Sequence, residues 1–242
     1  MIRAPIKEIG MRFDALRSRT FLILKTKNKY STSTGPARSS TESTSKSTRK
    51  PLSPEAKEFL SRLIRVDQAG ELGADLIYAG QHAVFKQTLP TIAPLIQHMW
   101  DQEIHHHRTF DNLQTRHRIR PSAFTPIWKI AAYGLGVGTA LWGKEAAMAC
   151  TVAVETVIGG HYNNQLRRLM TILEIESKES PDGEASEELS ALSKIVSQFR
   201  DDELEHLDTA LENDAEKARP YILLTETIKN GCRAAVWVAE RV

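Results

Sequence analysis

Two short segments constrain this chain more than anything else in it. Asp101-Gln102-Glu103-Ile104-His105-His106 and Asp201-Asp202-Glu203-Leu204-Glu205-His206 both read Asp-x-Glu-x-x-His. In an α-helix, positions i and i+3 project from the same side, so each motif can aim one carboxylate and one imidazole at a single point. One such motif is commonplace on a solvated face. A pair is not, when a helical stretch ahead of each carries one glutamate among small and apolar neighbours. Those glutamates are Glu71, in Ala69-Gly70-Glu71-Leu72-Gly73-Ala74, and Glu155, in Val152-Ala153-Val154-Glu155-Thr156-Val157. A carboxylate buried in such surroundings is costly unless it is paired or bound to a metal.

The surrounding pattern is helical throughout. Ser53-Pro54 reads as an N-cap followed by proline at the first helical position, opening a helix to about Gln87 that Thr88-Leu89-Pro90 ends. A second helix is expected from about Thr91 to the basic residues 116–120, before Pro121. Residues 123–142 are largely apolar, and a long helix follows Gly143, carrying Met148 to about Ile175. Ser180-Pro181-Asp182-Gly183 is a strong turn signal; a helix from Ser186 to about Asn213 and another from Pro220 onward complete the chain. No segment alternates as a strand would. The expected class is all-α.

Hairpin geometry tests the four glutamates together. In an antiparallel helix pair, residues equidistant from the turn lie side by side. The midpoint of Glu71 and Glu103 falls at position 87, beside the first turn, and that of Glu155 and Glu203 at 179, beside the second. The chain therefore reads as two hairpins, each supplying a Glu and a Glu-x-x-His, joined by a crossover that includes residues 123–142. That is the ferritin-like four-helix bundle with a di-iron or di-manganese carboxylate site, here with an additional C-terminal helix. The expected metal ligands are Glu71, Glu103, His106, Glu155, Glu203 and His206. Four carboxylates balance two Fe²⁺ ions, leaving a neutral site with both imidazoles uncharged, which suits a dry interior. Zinc fits the donor set less well. His105 and His107 point elsewhere on their helix and read as polar-face residues. Asp67 and Asp202 lie one turn before Glu71 and His206, where each could hold a ligand. Tyr162 returns to the face of Glu155, and His161 precedes it.

Residues 123–142 invite two other readings. Pro126, Lys129 and three glycines interrupt the apolar run, which argues against a membrane span and for an interfacial or buried helix. Gly134-x-Gly136-x-Gly138 follows no strand, so a nucleotide-binding loop is discarded.

The net charge of +2 conceals a split. Residues 1–50 hold 12 of the 32 basic residues and 3 of the 30 acids, so they carry +9 against −7 for the remainder. They also contain 15 Ser or Thr, most of them in 31–48. That composition is expected of a mitochondrial transit peptide, leaving residues 51–242 as the folded domain. Cys150 and Cys232 are too few for a disulfide framework or a thiolate cage.

Several segments resemble the mitochondrial demethoxyubiquinone hydroxylases of ubiquinone biosynthesis. They are Ile64-Arg-Val-Asp-Gln-Ala-Gly-Glu71-Leu-Gly-Ala74, Tyr78-Ala-Gly-Gln81, Met99-Trp-Asp-Gln-Glu103, the run from Gly138 to Glu155, His161-Tyr-Asn-Asn-Gln165 and Phe199-Arg-Asp-Asp-Glu-Leu-Glu-His206. The likeness covers roughly residues 60–242; residues 174–188 are its least similar part. It implies a di-iron monooxygenase, peripheral on the matrix side of the mitochondrial inner membrane. Such an enzyme adds the penultimate ring hydroxyl to a polyprenyl benzoquinol, with O₂ and electrons ultimately from NADH. All six expected ligands fall on the family's ligand positions. His161 and Tyr162 match a His-Tyr pair associated with electron and proton delivery. The resemblance also implies other ubiquinone-biosynthesis proteins as partners, among them a lipid-presenting accessory protein, and no nucleic acid. A di-iron quinol oxidase or a ferroxidase-type ferritin-like protein would share the bundle, but the first would have different glutamate motifs and the second no long apolar crossover.

Overall fold

The structure is a computed structural model that describes residues 52–180 and 184–242. The basic arm assigned to residues 1–50, and Pro181-Asp182-Gly183 of the second turn, lie outside the described residues. The described residues form six α-helices: α1 (Pro54–Thr88), α2 (Ala93–Arg116), α3 (Thr125–Trp142), α4 (Lys144–Glu179), α5 (Glu187–Glu212) and α6 (Tyr221–Ala239). A 3₁₀ turn, Ala215–Lys217, precedes α6, and no strand occurs among the described residues.

The helix ends follow local chemistry. The Ser53 hydroxyl accepts a hydrogen bond from the Ala56 N–H at 3.1 Å, with Pro54 in the first turn where its missing N–H costs nothing. Ser186 caps α5 in the same way through the Leu189 N–H. α2 begins at Ala93, two residues later than expected, since Ile92 occupies its cap position and Pro94 its first turn. α4 is longer than expected at both ends. Gly143, at φ 136°, is the single residue between α3 and α4, and this left-handed backbone lets one helix stop and the next start at once.

Four helices make the bundle. Gln81 of α1 lies beside Ala147 of α4 and Asp67 beside Gln165, so α1 and α4 run antiparallel. His106 of α2 meets Asp202 of α5 and Gln102 meets His206, so this pair is antiparallel too. With α2 folded back on α1 and α5 on α4, the two hairpins face each other in the ferritin-like manner. Apolar layers close both ends: Leu63, Ile64, Phe110, Leu169 and Leu189 at one, Tyr78, Phe85, Ile96 and Met148 at the other. Burial of each large side chain is worth about 1.5–3 kcal/mol. The polar residues of interest lie between these layers.

α3 is the crossover. It packs along α1, and the glycines set aside as a nucleotide loop have a mechanical use there. A Cβ on Gly136 would overlap the backbone carbonyl of Ile77, and one on Gly80 would stand 2.6 Å from the Tyr133 carbonyl oxygen. The two backbones therefore touch. No described helix is long and apolar enough to cross a membrane. α6 covers α4 and is tied to α1 at its end, where the Arg65 guanidinium donates to the carbonyl oxygens of Ala239 and Glu240, each at 3.2 Å.

Candidate metal centre

The six residues expected from the motifs meet at one place, all of them buried. They form two overlapping clusters, Glu71–Glu103–His106–Glu203 and Glu103–Glu155–Glu203–His206, in each of which one ligand-type atom per residue lies within 4.8 Å of the others. Glu103 and Glu203 belong to both. Glu203 turns Oε1 to His106 Nδ1 and Oε2 to His206 Nδ1, each at 3.2 Å. Glu103 likewise has Oε2 4.0 Å from His106 Nδ1 and Oε1 3.0 Å from His206 Nδ1. Glu103 and Glu203 thus lie between two groups of side chains, Glu71 with His106 on one side and Glu155 with His206 on the other.

Protein contacts alone leave this site unsatisfied. Glu71 Oε2, both oxygens of Glu103, His106 Nδ1, Glu155 Oε2 and Glu203 Oε1 are buried without a hydrogen-bond partner among the described residues. Buried polar atoms are rarely orphaned, and here the orphans converge on a common centre. Two hard or borderline divalent cations would satisfy carboxylate oxygen and imidazole nitrogen together. The residues present therefore fit a two-metal group.

The electrostatics show the same tension. Burial and then the charge of Glu203 push the carboxyl of Glu103 well above the ordinary carboxylate range, and Glu155 behaves alike for the same reasons. Glu203 is itself buried, yet the imidazoles of His106 and His206 beside it pull it down to about 2. Burial works against a charged His106, but Glu203 and Glu71 outweigh it and push the imidazole up to about 12. Without a cation, the cluster keeps protons in order to neutralise itself.

Contacts from outside the cluster hold Glu71, Glu155 and both imidazoles. Tyr78 Oη donates to Glu155 Oε1 at 2.8 Å, and Tyr162 Oη donates to Glu71 Oε1. Burial, then the neighbouring glutamate, raises both phenols well above their ordinary value, so they stay protonated and act as donors. His106 Nε2 meets Asp202 Oδ2 at 3.0 Å and His206 Nε2 meets Gln102 Oε1 at 3.0 Å, leaving each Nδ1 directed inward. The ring of Phe199 stacks on His106 with centroids 3.9 Å apart.

Some expectations change in detail. Asp202 holds His106 across the bundle instead of His206 on its own helix. Tyr162 reaches Glu71, not Glu155. Asp67 accepts from Gln165 Nε2 at 2.7 Å, with His161 Nε2 3.6 Å away. His161 thus meets Gln165 and Asp67, which lie outside the cluster, and burial lowers its pKa. His105 is exposed, while His107 is held by Asp75 at 2.9 Å. Tyr78, Gln102 and Gln165 were not anticipated. A signal existed for Tyr78, which follows Glu71 by the same seven positions that separate Tyr162 from Glu155.

Beside the cluster is a cavity of about 430 Å³ among α1, α3, α4 and α6. Gly70, Ala74, Ala132, Val154, Ile228 and Cys232 are among its lining residues, and the lining is almost wholly apolar. Gly70 and Val154 are the chain neighbours of Glu71 and Glu155, so the cavity runs along the stretches of α1 and α4 that carry these two residues.

Comparison with known proteins agrees with this geometry. The chain is 57% identical over 191 residues to the 5-demethoxyubiquinone hydroxylase, mitochondrial, of Saccharomyces cerevisiae, covering 79% of this chain and 82% of that protein. It is 50% identical over 182 residues to the NADPH-dependent 3-demethoxyubiquinone 3-hydroxylase, mitochondrial, of Mus musculus, covering 75% and 77%. The 3-demethoxyubiquinol 3-hydroxylase of Rhodospirillum rubrum is 41% identical over 194 residues, covering 80% and 84%. The family model described as ubiquinone biosynthesis protein COQ7 matches residues 58–239. With six facing carboxylate and imidazole side chains in a ferritin-like bundle and a family match over nearly all of its described residues, the chain belongs to the COQ7 family.

Proposed function

We propose that this protein is a demethoxyubiquinone hydroxylase, an O₂-dependent di-iron monooxygenase acting on a polyprenyl benzoquinol. The observation that carries this reading is the pair of clusters sharing Glu103 and Glu203, with an apolar cavity along the helix stretches that carry Glu71 and Glu155. Glu71, Glu103, His106, Glu155, Glu203 and His206 would hold two iron ions. The chemistry supplied by a bound iron pair is reductive activation of O₂, so that one oxygen atom enters the ring and the other leaves as water, at a cost of two electrons and two protons.

The chain's own residues do the rest. The apolar lining takes the ring and the first part of its polyprenyl tail and keeps water from the reacting face. Gly70 and Ala74 lack bulk where the ring must come close to Glu71. Tyr78 and Tyr162 hold the outer glutamates in place through hydrogen bonds that cross between hairpins. His161, in contact with Gln165 and near Asp67, forms a polar route from the α4 surface toward Glu71 for protons and electrons. The electrons come from a reduced nicotinamide nucleotide: NADH is the donor implied by the family resemblance, and the name of the mouse relative specifies NADPH.

The same reading assigns residues 1–50 to mitochondrial import and the folded domain to the matrix face of the inner membrane. Ile127, Ile130, Leu141 and Trp142 on α3, with Ile222, Leu223 and Trp237 on α6, are exposed apolar side chains beside the cavity-forming helices. They supply a surface for the bilayer and for a lipid-presenting partner, from which a water-insoluble tail can enter.

Deleting the gene in a respiring cell and extracting its quinones tests the proposal. The quinone lacking one methoxy group should accumulate, and the wild-type chain but not Glu203→Ala should clear it. A normal quinone pool in the deletion strain would refute the assignment. Reconstituted enzyme supplied with NADH or NADPH in turn identifies the donor.

A further inference from the structure

The two halves of the centre share one plan. An offset of 84 residues takes Glu71, Tyr78 and Gln81 of α1 to Glu155, Tyr162 and Gln165 of α4, and an offset of 100 takes Glu103 and His106 of α2 to Glu203 and His206 of α5. The contacts follow the same plan. Each tyrosine donates to the glutamate of the opposite hairpin, and the residue before each shared glutamate reaches the imidazole of the opposite hairpin.

The plan is broken where it touches the imidazoles. Asp202 Oδ2 faces His106 Nε2 and Gln102 Oε1 faces His206 Nε2, both at 3.0 Å. The distances match and the charges do not. A further break has the same sense: Asp67, one turn before Glu71, has Thr151 as its counterpart one turn before Glu155. Both changes place an additional carboxyl group on the side of Glu71 and His106.

A carboxylate that accepts the outer N–H of an imidazole fixes its tautomer and ring orientation and makes the inner nitrogen a better donor; a neutral amide oxygen does this less well. Asp202 is about a quarter exposed and lies outside both clusters, so its negative charge adds to the attraction for a cation without occupying a coordination position. Resting on the two-metal reading above, we infer that the two positions are unequal. The Glu71–His106 position, backed by Asp202, takes a divalent ion first and more tightly than the Glu155–His206 position, backed by Gln102. Loss of such an outer partner weakens metal binding by about 10- to 100-fold, which sets the expected separation.

Anaerobic titration of the full chain with Fe²⁺ by calorimetry, together with ⁵⁷Fe Mössbauer spectra at one iron per chain, reads this directly. The wild-type chain should bind in two steps separated by about tenfold or more, with one dominant quadrupole doublet at half loading. Asp202→Asn should weaken the tight step by about 10- to 100-fold and leave the weaker step in place. Gln102→Asp should strengthen the weaker step and bring the two together. Helical circular dichroism identifies variants that have not folded, and should Asp202→Asn fail there, Gln102→Asp still decides, because an unchanged weaker step would overturn the inference. Two ions bound by the wild-type chain with equal affinity, or an Asp202→Asn isotherm that superimposes on the wild type, would overturn it while leaving the two-metal reading intact. A wild-type chain that binds no iron overturns both.

Discussion

Tyr78 on α1 donates a hydrogen bond to Glu155 on α4 at 2.8 Å, a contact between residues 77 positions apart that joins the two hairpins at their centre. The phenol is fully enclosed, so no water can replace it. Tyr78→Phe keeps the ring and its packing but leaves Glu155 Oε1 without its donor. The metal-free variant should lose about 1–3 kcal/mol of stability in urea denaturation, the cost of an unsatisfied buried acceptor. An unchanged denaturation midpoint would show that Glu155 needs no such donor.

The proposed bridging role of Glu103 and Glu203 can be separated from the proposed terminal role of Glu71 and Glu155 by counting iron. Glu203→Ala or Glu103→Ala removes an oxygen from both positions and should leave the folded chain with almost no iron. Glu71→Ala or Glu155→Ala removes a donor from one position and should leave about one iron per chain. Equal iron content across the four variants would contradict the shared-carboxylate geometry.

Iron uptake should release protons. In the metal-free chain His106 is charged, being pushed up to about 12, and burial keeps Glu103 and Glu155 protonated well above the usual carboxylate range. Coordination needs the deprotonated form of each. Affinity should therefore rise with pH across the neutral range, and the apparent binding enthalpy should vary with the ionisation enthalpy of the buffer. Calorimetry in phosphate and in Tris measures this; identical enthalpies would mean that no protons leave.

The contact between α1 and α3 has no room for a methyl group. Gly136→Ala drives a Cβ into the Ile77 carbonyl and should destabilise the fold by about 1–3 kcal/mol or more, as overpacking does. Gly134→Ala, on the same helix with nothing within 4 Å, is the control. It should be neutral or stabilising by up to about 1 kcal/mol, because alanine is the better helix former. Thermal denaturation of both variants separates steric contact from helix propensity.

The i, i+3 spacing of Glu103 with His106, and of Glu203 with His206, was enough to place the four side chains on inward faces, and the midpoint rule was enough to bring Glu71 and Glu155 beside them. These are properties of one helix or of one hairpin, which a linear sequence records. The contacts from Asp202 to His106, Gln102 to His206 and Tyr162 to Glu71 depend on how one hairpin registers against the other. Nothing local records that offset, so the sequence reading attached Asp202 and Tyr162 to residues on their own helices. The glycines of α3 were hard to read for a related reason, since the surface they fit belongs to residues more than fifty positions earlier. Helix ends erred beside a proline at Ile92-Ala93-Pro94 and beside a glycine at Gly143.

Gly143 leaves α3 and α4 no slack. A displacement of α3, whose outer face carries Ile130 and Leu141, cannot be absorbed by a loop before it reaches α4, twelve residues ahead of Glu155. Nor can α3 slide freely along α1, because their backbones interlock at Gly80 and Gly136. The crossover is thus a stiff strut between the exposed apolar side chains of its outer face and the helix that carries Glu155.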